Sequence, residues 1–243
     1  MVGIGGGAPS ANNDIRLGDV VVSAPAHGKG GVLQYDFGKT IQGRSFQSTG
    51  HLNEPPWLFR TAMQGLQLEY QLNCHGLVSA IAGVLGRRPR LRREYKRPEP
   101  STDKLFKASV VHRSPHANCQ GVCDIDPNNL VRRSARTEED DGPVIHCGLI
   151  ASANQVMEDA EVRDQLIVSN GVLCFEMEAA GLMNHFPCLV VCGICKFSNS
   201  HENKEWQGYA AMTAAAYTKD ILSQIPPSSV KEAEDIENIP PDG

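Results

Sequence analysis

The chain has 243 residues, of which 41% are hydrophobic and 21% are charged, and its formal net charge is -5. This length and hydrophobic content predict one large domain with its own core, with or without a tail. The negative charge argues against nucleic acid or an anionic membrane as the main partner. No run of about 18 apolar residues is present, so no membrane-spanning helix is expected. The first ten residues also lack the pattern of a signal peptide.

The cysteines predict a reducing, cytoplasmic compartment, because a chain with its own core does not need disulfides. Five of the eight cysteines lie in apolar, strand-like runs. Cys192-Gly-Ile-Cys195 suggests a redox pair or half a zinc site. However, it lies in a predicted buried strand, where the two side chains point to opposite faces. Zinc would need two more ligands, and Cys119 and Cys123 are a distant pair, so no metal is expected.

Runs rich in Val and Ile alternate with helical patterns along the chain. Strands are predicted over DVVVS at 19–23, VLQYDF at 32–37, KASVVH at 107–112, VIHCGLIAS at 144–152 and CLVVCGIC at 188–195. Helices are predicted over 54–85 (one or two, ending near Gly86), over 154–167, from 175 as a short helix entered from a strand, and over 205–225. This alternation predicts an α/β fold with a mostly parallel sheet.

Three segments have the composition of surface chain rather than core. Residues 87–97 carry seven basic side chains, which a nuclear signal or nucleic-acid patch would explain, but a solvated surface is the simpler interpretation. Residues 113–143 are polar and are predicted to form a long surface loop. Residues 226–243 are acidic and rich in proline, which predicts a linker or a disordered tail.

Two short motifs are candidates for ligand binding. GIGGGAPS at 3–10 would let backbone N–H groups approach an anion or a ribose, although a tight turn explains it equally well. It matches neither the dinucleotide-binding nor the P-loop pattern. In Phe175-Glu-Met-Glu178, two acids open a helix after a strand. Helix capping explains such acids, but a carboxylate beyond the carboxyl end of a strand can also accept sugar hydroxyls.

Together these motifs resemble the purine nucleoside phosphorylase and uridine phosphorylase superfamily. The segments that carry the resemblance are VGIGGGAPSANNDIRLGDVVVS at 2–23, GLIASANQVM at 148–157, FEMEAAGLMNHF at 175–186 and LVVCGICKFSN at 189–199. Among the enzyme branches, the one that includes methylthioadenosine/adenosylhomocysteine nucleosidase is the most similar. The nucleoside-phosphorylase-like domains of filamentous fungi resemble the chain more than that branch does. In fungi these domains often accompany NTPase and repeat modules in receptor-like proteins.

The resemblance covers residues 1–224, with a divergent loop region at 87–143, and leaves 225–243 as a tail or linker. It implies a three-layer αβα fold around a mixed, mostly parallel sheet. It also implies that the chain is truncated at its N-terminus, because the first strands of the family have no counterpart here. We therefore expect an unprotected sheet edge, which favours aggregation.

The resemblance implies roles for individual residues. Glu178 matches the acid that binds the sugar hydroxyls, Met177 packs against the sugar, and Glu176 belongs to the same ribose-side motif. The base side is matched by Val156, Met157 and Asn199, and the phosphate or attacking-water side by Gly3, Gly5 and Gly6. In the family, a late strand ends in an acid that helps the purine leave, which is worth about 10²–10⁴-fold in rate.

Lys196 stands where that acid is expected, and Asn199 stands where a second acid is expected. A protonated lysine can donate a hydrogen bond to the purine, but it places a full charge beside a sugar that becomes cationic. The resemblance therefore implies that catalysis is weakened or lost.

Two hypotheses follow from the sequence. The first is an enzyme that cleaves the N-glycosidic bond of a purine nucleoside, with phosphate or water as the attacking group and no other cofactor. The second is a non-catalytic nucleoside-sensing or interaction module within a larger receptor-like protein. Under either hypothesis, the chain is expected to be able to form a homo-oligomer.

Overall fold

The computed structural model describes residues 1–44, 46–112, 119, 123, 126–137, 142–201 and 203–230. Its strands are β1 (Val2–Gly7), β2 (Val20–Ser23), β3 (Val32–Gln34), β4 (Gly38–Lys39), β5 (Gln47–Ser48), β6 (Ile145–Ser152), β7 (Val172–Glu176) and β8 (Val191–Lys196). Its helices are α1 (Trp57–Asn73), α2 (Leu77–Arg87), α3 (Arg92–Tyr95), α4 (Ala160–Asn170), α5 (Ala179–Leu182) and α6 (Trp206–Ser223).

Six strands form one mixed sheet in the order β2-β8-β1-β7-β6-β3. The pairs β1–β8, β2–β6, β3–β6 and β6–β7 are parallel, whereas β1–β7 and β2–β8 are antiparallel. The mixed, mostly parallel sheet predicted from the sequence is therefore confirmed.

The sheet closes on itself, because β2 pairs with both β8 and β6. β6 is long enough to pair with β2 through residues 145–148 and with β3 through residues 150–152. Within the described residues, β3 is one edge of this sheet, and β1 meets β7 only at Gly6 and Gly7, so that residues 2–5 pair with β8 alone. The first half of β1 therefore still presents an unpaired edge, where Val2 is 47% exposed.

Both faces of the sheet are buried, as the continuous apolar runs predict. Val20 and Val22 of β2 pack with α1 and α6, whereas Val21 between them packs in a second cluster with Ile150. Leu149 and Ala151 of β6 pack in a third cluster, against which Leu166 and Ile167 of α4 lie. The sheet therefore lies between two sets of helices.

A buried ionic network anchors the start of β2. Asp19 is fully buried, and its carboxylate accepts hydrogen bonds from Arg136 at 2.6 and 2.8 Å and from the backbone N–H groups of Arg16 and Val144. His146 Nε2 lies 3.1 Å from the same carboxylate. These contacts tie the polar segment around residue 136 to the sheet.

Helix α4 begins later than the sequence predicts. The Asp159 carboxylate accepts hydrogen bonds from the N–H groups of Glu161 and Val162, which makes it the N-cap. At the other end, Gly171 has a φ of 71°, a left-handed conformation in which glycine is favoured as a helix terminator. The segment before Asp159 is consequently a loop and not a helix.

Three other predicted elements differ from the structure, and the first is the run 32–37, which forms a strand only over Val32–Gln34. Residues 107–112 are a loop rather than a strand, and the only backbone bridge of this region within the described residues joins Phe106 to Leu130. Val111 is 63% exposed, so this short apolar run has no sheet face to cover. From 175, strand β7 continues to Glu176, and α5 is only four residues long.

The predicted surface is observed for the basic segment, whereas the polar segment 113–143 is only partly exposed, since the side chains of Arg133 and Arg136 are 13% and 14% exposed. The basic segment 87–97 forms a 3₁₀ turn and α3, and most of its residues are exposed. Much of the predicted loop 113–143 and of the tail 226–243 lies outside the described residues. Among the described residues, none of the helices has the length and apolarity that a bilayer crossing requires.

Candidate functional site

The carboxyl ends of three strands meet at one place. β1 and β7 run antiparallel and pair only at these ends, with Gly6 opposite Phe175 and Gly7 opposite Cys174. Gly6 also pairs with Lys196, the last residue of β8. A register shift between Gly5 and Gly6 marks a bulge here. The glycine turn, the EME motif and Lys196 are therefore neighbours in space.

A cleft of about 210 Å³ opens at this junction. The loop after β6, the end of β7, the end of β8 and the start of α6 all contribute to its walls. Its lining residues are Ile4, Gly5, Gly6, Gln155, Val156, Met157, Phe175, Glu176, Met177, Glu178, Cys195, Lys196, Ser198, Asn203, Lys204 and Gln207.

Eight of the ten residues singled out from the sequence line this cleft. They are Gly5, Gly6, Val156, Met157, Glu176, Met177, Glu178 and Lys196. Gly3 lies earlier in β1, opposite Cys192, and does not line it. Asn199 is also outside the lining: it is buried, and its Oδ1 accepts a hydrogen bond from the N–H of His201 at 3.0 Å.

The two glutamates of the EME motif lie in different environments. Glu176 is buried, and its Oε2 accepts hydrogen bonds from the N–H groups of Glu178 and Ala179, both at 2.9 Å. It therefore caps the start of α5, as the capping interpretation of the sequence predicts. Burial raises the pKa of Glu176, and this effect outweighs the hydrogen bonds from the Ser152 side chain and from the two N–H groups, which lower it. Glu178 is exposed on the cleft wall.

Two buried polar oxygens in the cleft wall have no hydrogen-bond partner among the described residues. They are Oε1 of Glu176 and Oγ of Ser198. Buried polar groups are nearly always hydrogen-bonded in folded proteins, so such atoms require an explanation. Because both residues line the same cleft, a ligand with hydroxyl groups could satisfy both oxygens.

Two lysines also line the cleft. Lys196 ends β8, and its Nζ lies 3.8 Å from Glu158 Oε1. Lys204 lines the cleft just before α6. Both lysines and the carboxylate of Glu178 therefore face the same small volume, which suits a ligand that carries hydroxyl groups and an anionic group.

Gly5 and Gly6 are glycines because the strands approach each other closely. A Cβ at Gly5 would lie 2.7 Å from the carbonyl oxygen of Phe175. At Gly6 it would collide with Oγ of Ser198. The bare backbone thus lets β1 pass between β7 and the loop after β8, and it exposes main-chain groups to the cleft.

The loop after β8 is held by a buried arginine that the sequence analysis missed. Arg163 of α4 is 4% exposed and donates a hydrogen bond to the carbonyl oxygen of Phe197 at 2.8 Å. The next residue, Ser198, has a φ of 49°, a conformation that is uncommon for a residue other than glycine. The sequence around Arg163 gives no indication of this contact, because α4 and the loop after β8 are brought together only in the folded chain.

The cysteines of the CxxC motif do not have the environment of a redox pair. Cys192 and Cys195 are both buried in β8. Burial raises the pKa of the Cys195 thiol to about 11. A redox-active cysteine needs a lowered pKa and access to solvent. The redox interpretation is therefore contradicted by the burial of both thiols.

Comparison with known proteins gives one relative in sequence. No protein-family model matches the chain. Over 233 residues, which is 95% of this chain, it is 41% identical to a nucleotide-binding leucine-rich repeat (NLR)-like protein of Hyaloscypha variabilis. The chain spans only 22% of the length of that protein.

Several solved structures are similar at low sequence identity. Futalosine hydrolase of Helicobacter pylori is 12% identical, with a TM-score of 0.42, over 92% of this chain and 66% of that one. The 5'-methylthioadenosine/S-adenosylhomocysteine nucleosidase of Streptococcus pneumoniae is 14% identical, with a TM-score of 0.49, over 92% of this chain and 68% of that one. In sequence, the chain is thus similar to one part of an NLR-like protein.

Proposed function

We propose that the chain binds a purine nucleoside in the cleft at the ends of β1, β7 and β8. The observation that carries this proposal is the pair of buried oxygens, Glu176 Oε1 and Ser198 Oγ, without a partner among the described residues. A ribose offers hydroxyl groups that can donate to a carboxylate and exchange hydrogen bonds with a serine. The sequence resemblance to purine nucleoside phosphorylases supports a nucleoside as the source of these hydroxyls.

In this proposal, different residues contact the ribose, the base and the phosphate or water side of the ligand. Glu178 and Oε1 of Glu176 accept hydrogen bonds from the ribose hydroxyls, Oε2 of Glu176 holds the start of α5, and Met177 packs against the sugar. Val156, which is 49% exposed, and Met157 contact the base. Gly5 and Gly6 face the phosphate or water side, and their resemblance to the family's turn is what supports that role.

We expect Glu178→Ala to weaken nucleoside binding with little effect on folding, because the carboxylate is exposed and caps no helix. Loss of a hydrogen bond to a charged group costs about 1.5–3 kcal/mol, which is roughly a 10- to 150-fold rise in Kd. Thermal unfolding with and without adenosine or inosine measures this. A ligand at 100 times its Kd adds about 2.7 kcal/mol, or roughly 5–10 °C for a chain of this size.

Glu161→Ala is the matched control, since Glu161 is an exposed glutamate on α4 that does not line the cleft. It should shift with ligand as the wild type does. A wild-type transition that does not move with either nucleoside, at millimolar concentration, would contradict the proposal. Equal shifts in the wild type and Glu178→Ala would contradict the role of Glu178.

A second candidate function is cleavage of the N-glycosidic bond, which the raised pKa of Glu176 favours. Burial keeps a proton on this carboxyl to higher pH than usual, and a leaving purine needs an acid within reach. Lys196 opposes this function, because the family resemblance places an acid where it stands. We therefore propose that turnover is weak or absent and that binding is the main activity.

We expect Lys196→Asp to release more free base from adenosine or inosine than the wild type, within the about 10²–10⁴-fold range of general-acid help. Lys196→Met is the matched control, because it removes the positive charge without supplying an acid. Chromatography of the released base, with and without phosphate, measures the rate and separates phosphorolysis from hydrolysis. If both variants released base faster by the same factor, the cause would be the loss of the lysine's positive charge. If Lys196→Asp released base no faster than the wild type, the role of an acid at this position would be contradicted.

The similarity to part of an NLR-like protein supports a place for this chain in a longer, multidomain protein. We propose that it serves there as the nucleoside-sensing module beside NTPase and repeat domains. Homo-oligomer formation and the cytoplasmic location expected from the free cysteines belong to the same proposal. Binding without turnover is the behaviour that a sensor requires, and turnover at enzyme-like rates would overturn this role.

A further inference from the structure

Four metal-ligating side chains meet outside the nucleoside cleft. They are His112, Cys119, Cys123 and His201, and their ligand atoms all lie within 4.8 Å of one another. Three come from the polar segment before β6, and the fourth comes from the loop after β8. We propose that these four side chains bind one Zn²⁺ ion, which fastens the polar segment to that loop.

The distances between the ligand atoms fit a tetrahedral ion. Zn–S bonds of about 2.3 Å and Zn–N bonds of about 2.0–2.1 Å place sulfur and nitrogen ligands about 3.5 Å apart at the tetrahedral angle. Cys119 Sγ lies 3.6 Å from His112 Nδ1 and 3.5 Å from His201 Nδ1. Cys123 Sγ lies 3.0 Å from His112 Nδ1. These three separations differ from the tetrahedral spacing by at most about 0.5 Å, and the widest separation in the cluster, up to 4.8 Å, must close by about 1 Å to hold an ion.

The donor set selects the metal and its role. Two thiolates and two imidazoles are the ligands of structural zinc sites, whereas Mg²⁺ and Ca²⁺ prefer oxygen. Four protein ligands fill the tetrahedron and leave no open position for water or substrate. A structural role follows, rather than a catalytic one.

The orientation of His201 is fixed by its surroundings, as expected for a metal ligand. Its Nε2 lies 2.9 Å from the carbonyl oxygen of Val110 and must donate its proton there, so the lone pair of Nδ1 faces the cysteines. Its ring stacks on Phe106 at a centroid distance of 3.8 Å. His201 is also 7% exposed, so water competes little for the site.

The cysteines and His112 are held in a similar way. The N–H of Cys123 donates to the carbonyl oxygen of Cys119 at 3.0 Å, which holds the two cysteines close together. Asn129 donates to the carbonyl oxygen of Cys123 at 3.0 Å. The N–H of His112 donates to Ser200 Oγ at 2.9 Å, next to His201. These contacts preorganise the site without the ion.

The location gives the ion a consequence for the cleft. His201 lies three residues after Ser198, which lines the cleft, and two residues after Asn199, whose side chain holds the N–H of His201. A bound ion would therefore restrain the turn at Ser198 from outside. The zinc site and the nucleoside site are independent proposals, because neither set of residues contains a member of the other.

The test is the zinc content of the purified 243-residue chain, measured by plasma mass spectrometry after growth in zinc-supplemented medium. We expect one zinc per chain, and at least a tenfold loss in Cys119→Ser and in Cys123→Ser. Cys74→Ser is the matched control, since Cys74 is an exposed cysteine outside the cluster. It should retain the full zinc content.

A second measurement on the wild-type chain keeps the test independent of variants that fail to fold. Alkylation followed by mass spectrometry should find Cys119 and Cys123 protected with zinc and reactive after chelation, while Cys74 reacts in both states. Replacement by Co²⁺ should give the absorption bands of tetrahedral thiolate coordination.

Three results would overturn the proposal. The first is a chain that contains no zinc and takes up no Co²⁺, which would leave a hydrogen-bonded Cys–His cluster only. The second is zinc that persists in both cysteine variants. The third is zinc that is lost instead on mutation of Cys192 or Cys195, which would place the metal at the CxxC motif.

Discussion

Asp19→Asn is expected to lower the free energy of unfolding by about 3–5 kcal/mol, because it breaks a buried ion pair and leaves one partner's charge uncompensated. The Asp19 side chain is 1% exposed, and that of Arg136 is 14% exposed. The carboxylate also accepts hydrogen bonds from two backbone N–H groups. Urea unfolding of both proteins measures the difference directly.

Asp14→Asn is the control for the burial argument. Its carboxylate is 49% exposed and pairs with Arg16, so this surface pair should contribute at most about 1 kcal/mol. A double-mutant cycle of Asp19→Asn with Arg136→Met isolates the pair itself. We expect the double variant to be more stable than the sum of the single losses predicts. A loss at Asp19 no larger than that at Asp14 would contradict the assignment.

The same network predicts how stability depends on pH. Burial acts to raise the pKa of Asp19, but hydrogen bonds from Arg136 and His146 outweigh it and hold the pKa below its ordinary value of 3.8. A lowered folded-state pKa adds stability that is complete above 3.8 and is lost as the pH falls through the folded value. The loss of unfolding free energy in Asp19→Asn, relative to the wild type, should therefore be complete at neutral pH and should shrink below pH 3.8.

The element order could be predicted from the sequence because the strands are buried on both faces and the helices are long. Strands β2, β6 and β8 coincide with apolar runs, and α1, α2 and α6 coincide with helical patterns. The closure of the sheet could not be predicted, since it depends on β6 pairing with two strands along its length. The run 107–112 has the composition of a strand, but among the described residues no strand lies beside it to pair with it.

The cleft could be predicted from short motifs, because the EME segment, the glycine turn and Lys196 each end a strand. The residues that complete it could not. Ser198 owes its place to a turn with positive φ, and Lys204 and Gln207 reach the cleft only because α6 starts beside it. The two glutamates differ in burial, and their sequence neighbours give no indication of which one caps α5.

The Cys–His cluster shows a different limit of sequence reasoning. The spacing from His112 to Cys119 and Cys123 follows no familiar zinc pattern, and His201 lies 82 residues beyond Cys119. From the sequence alone, Cys119 and Cys123 are candidates only as distant further ligands for the CxxC pair. Cys192 and Cys195 are the second and fifth of the six residues of the buried strand β8, and the four ligand atoms of the cluster include neither. Only the fold identifies the two histidines as partners.

Gly193→Ala is expected to lower the free energy of unfolding by about 3 kcal/mol, at the upper end of the usual cost of overpacking. Gly193 lies in the middle of β8, between β1 and β2. A Cβ at this position would collide with the backbone carbonyl oxygen of Ala210 in α6. A backbone atom cannot rotate away as a side chain can, so α6 must move as a unit. Because Gln207 of α6 and Lys196 of β8 both line the cleft, nucleoside binding should weaken in the same variant.

Gly65→Ala is the matched control, with the opposite expected sign. Gly65 is an exposed residue of α1, and a Cβ there would meet nothing within 4 Å. Alanine in a helix interior is more stable than glycine by about 0.5–1 kcal/mol, so this variant should unfold at higher urea concentration than the wild type. If Gly193→Ala unfolded at the same concentration as the wild type, the close packing of α6 on β8 would be contradicted. If both variants lost stability equally, the loss would reflect the backbone and not the contact between α6 and β8.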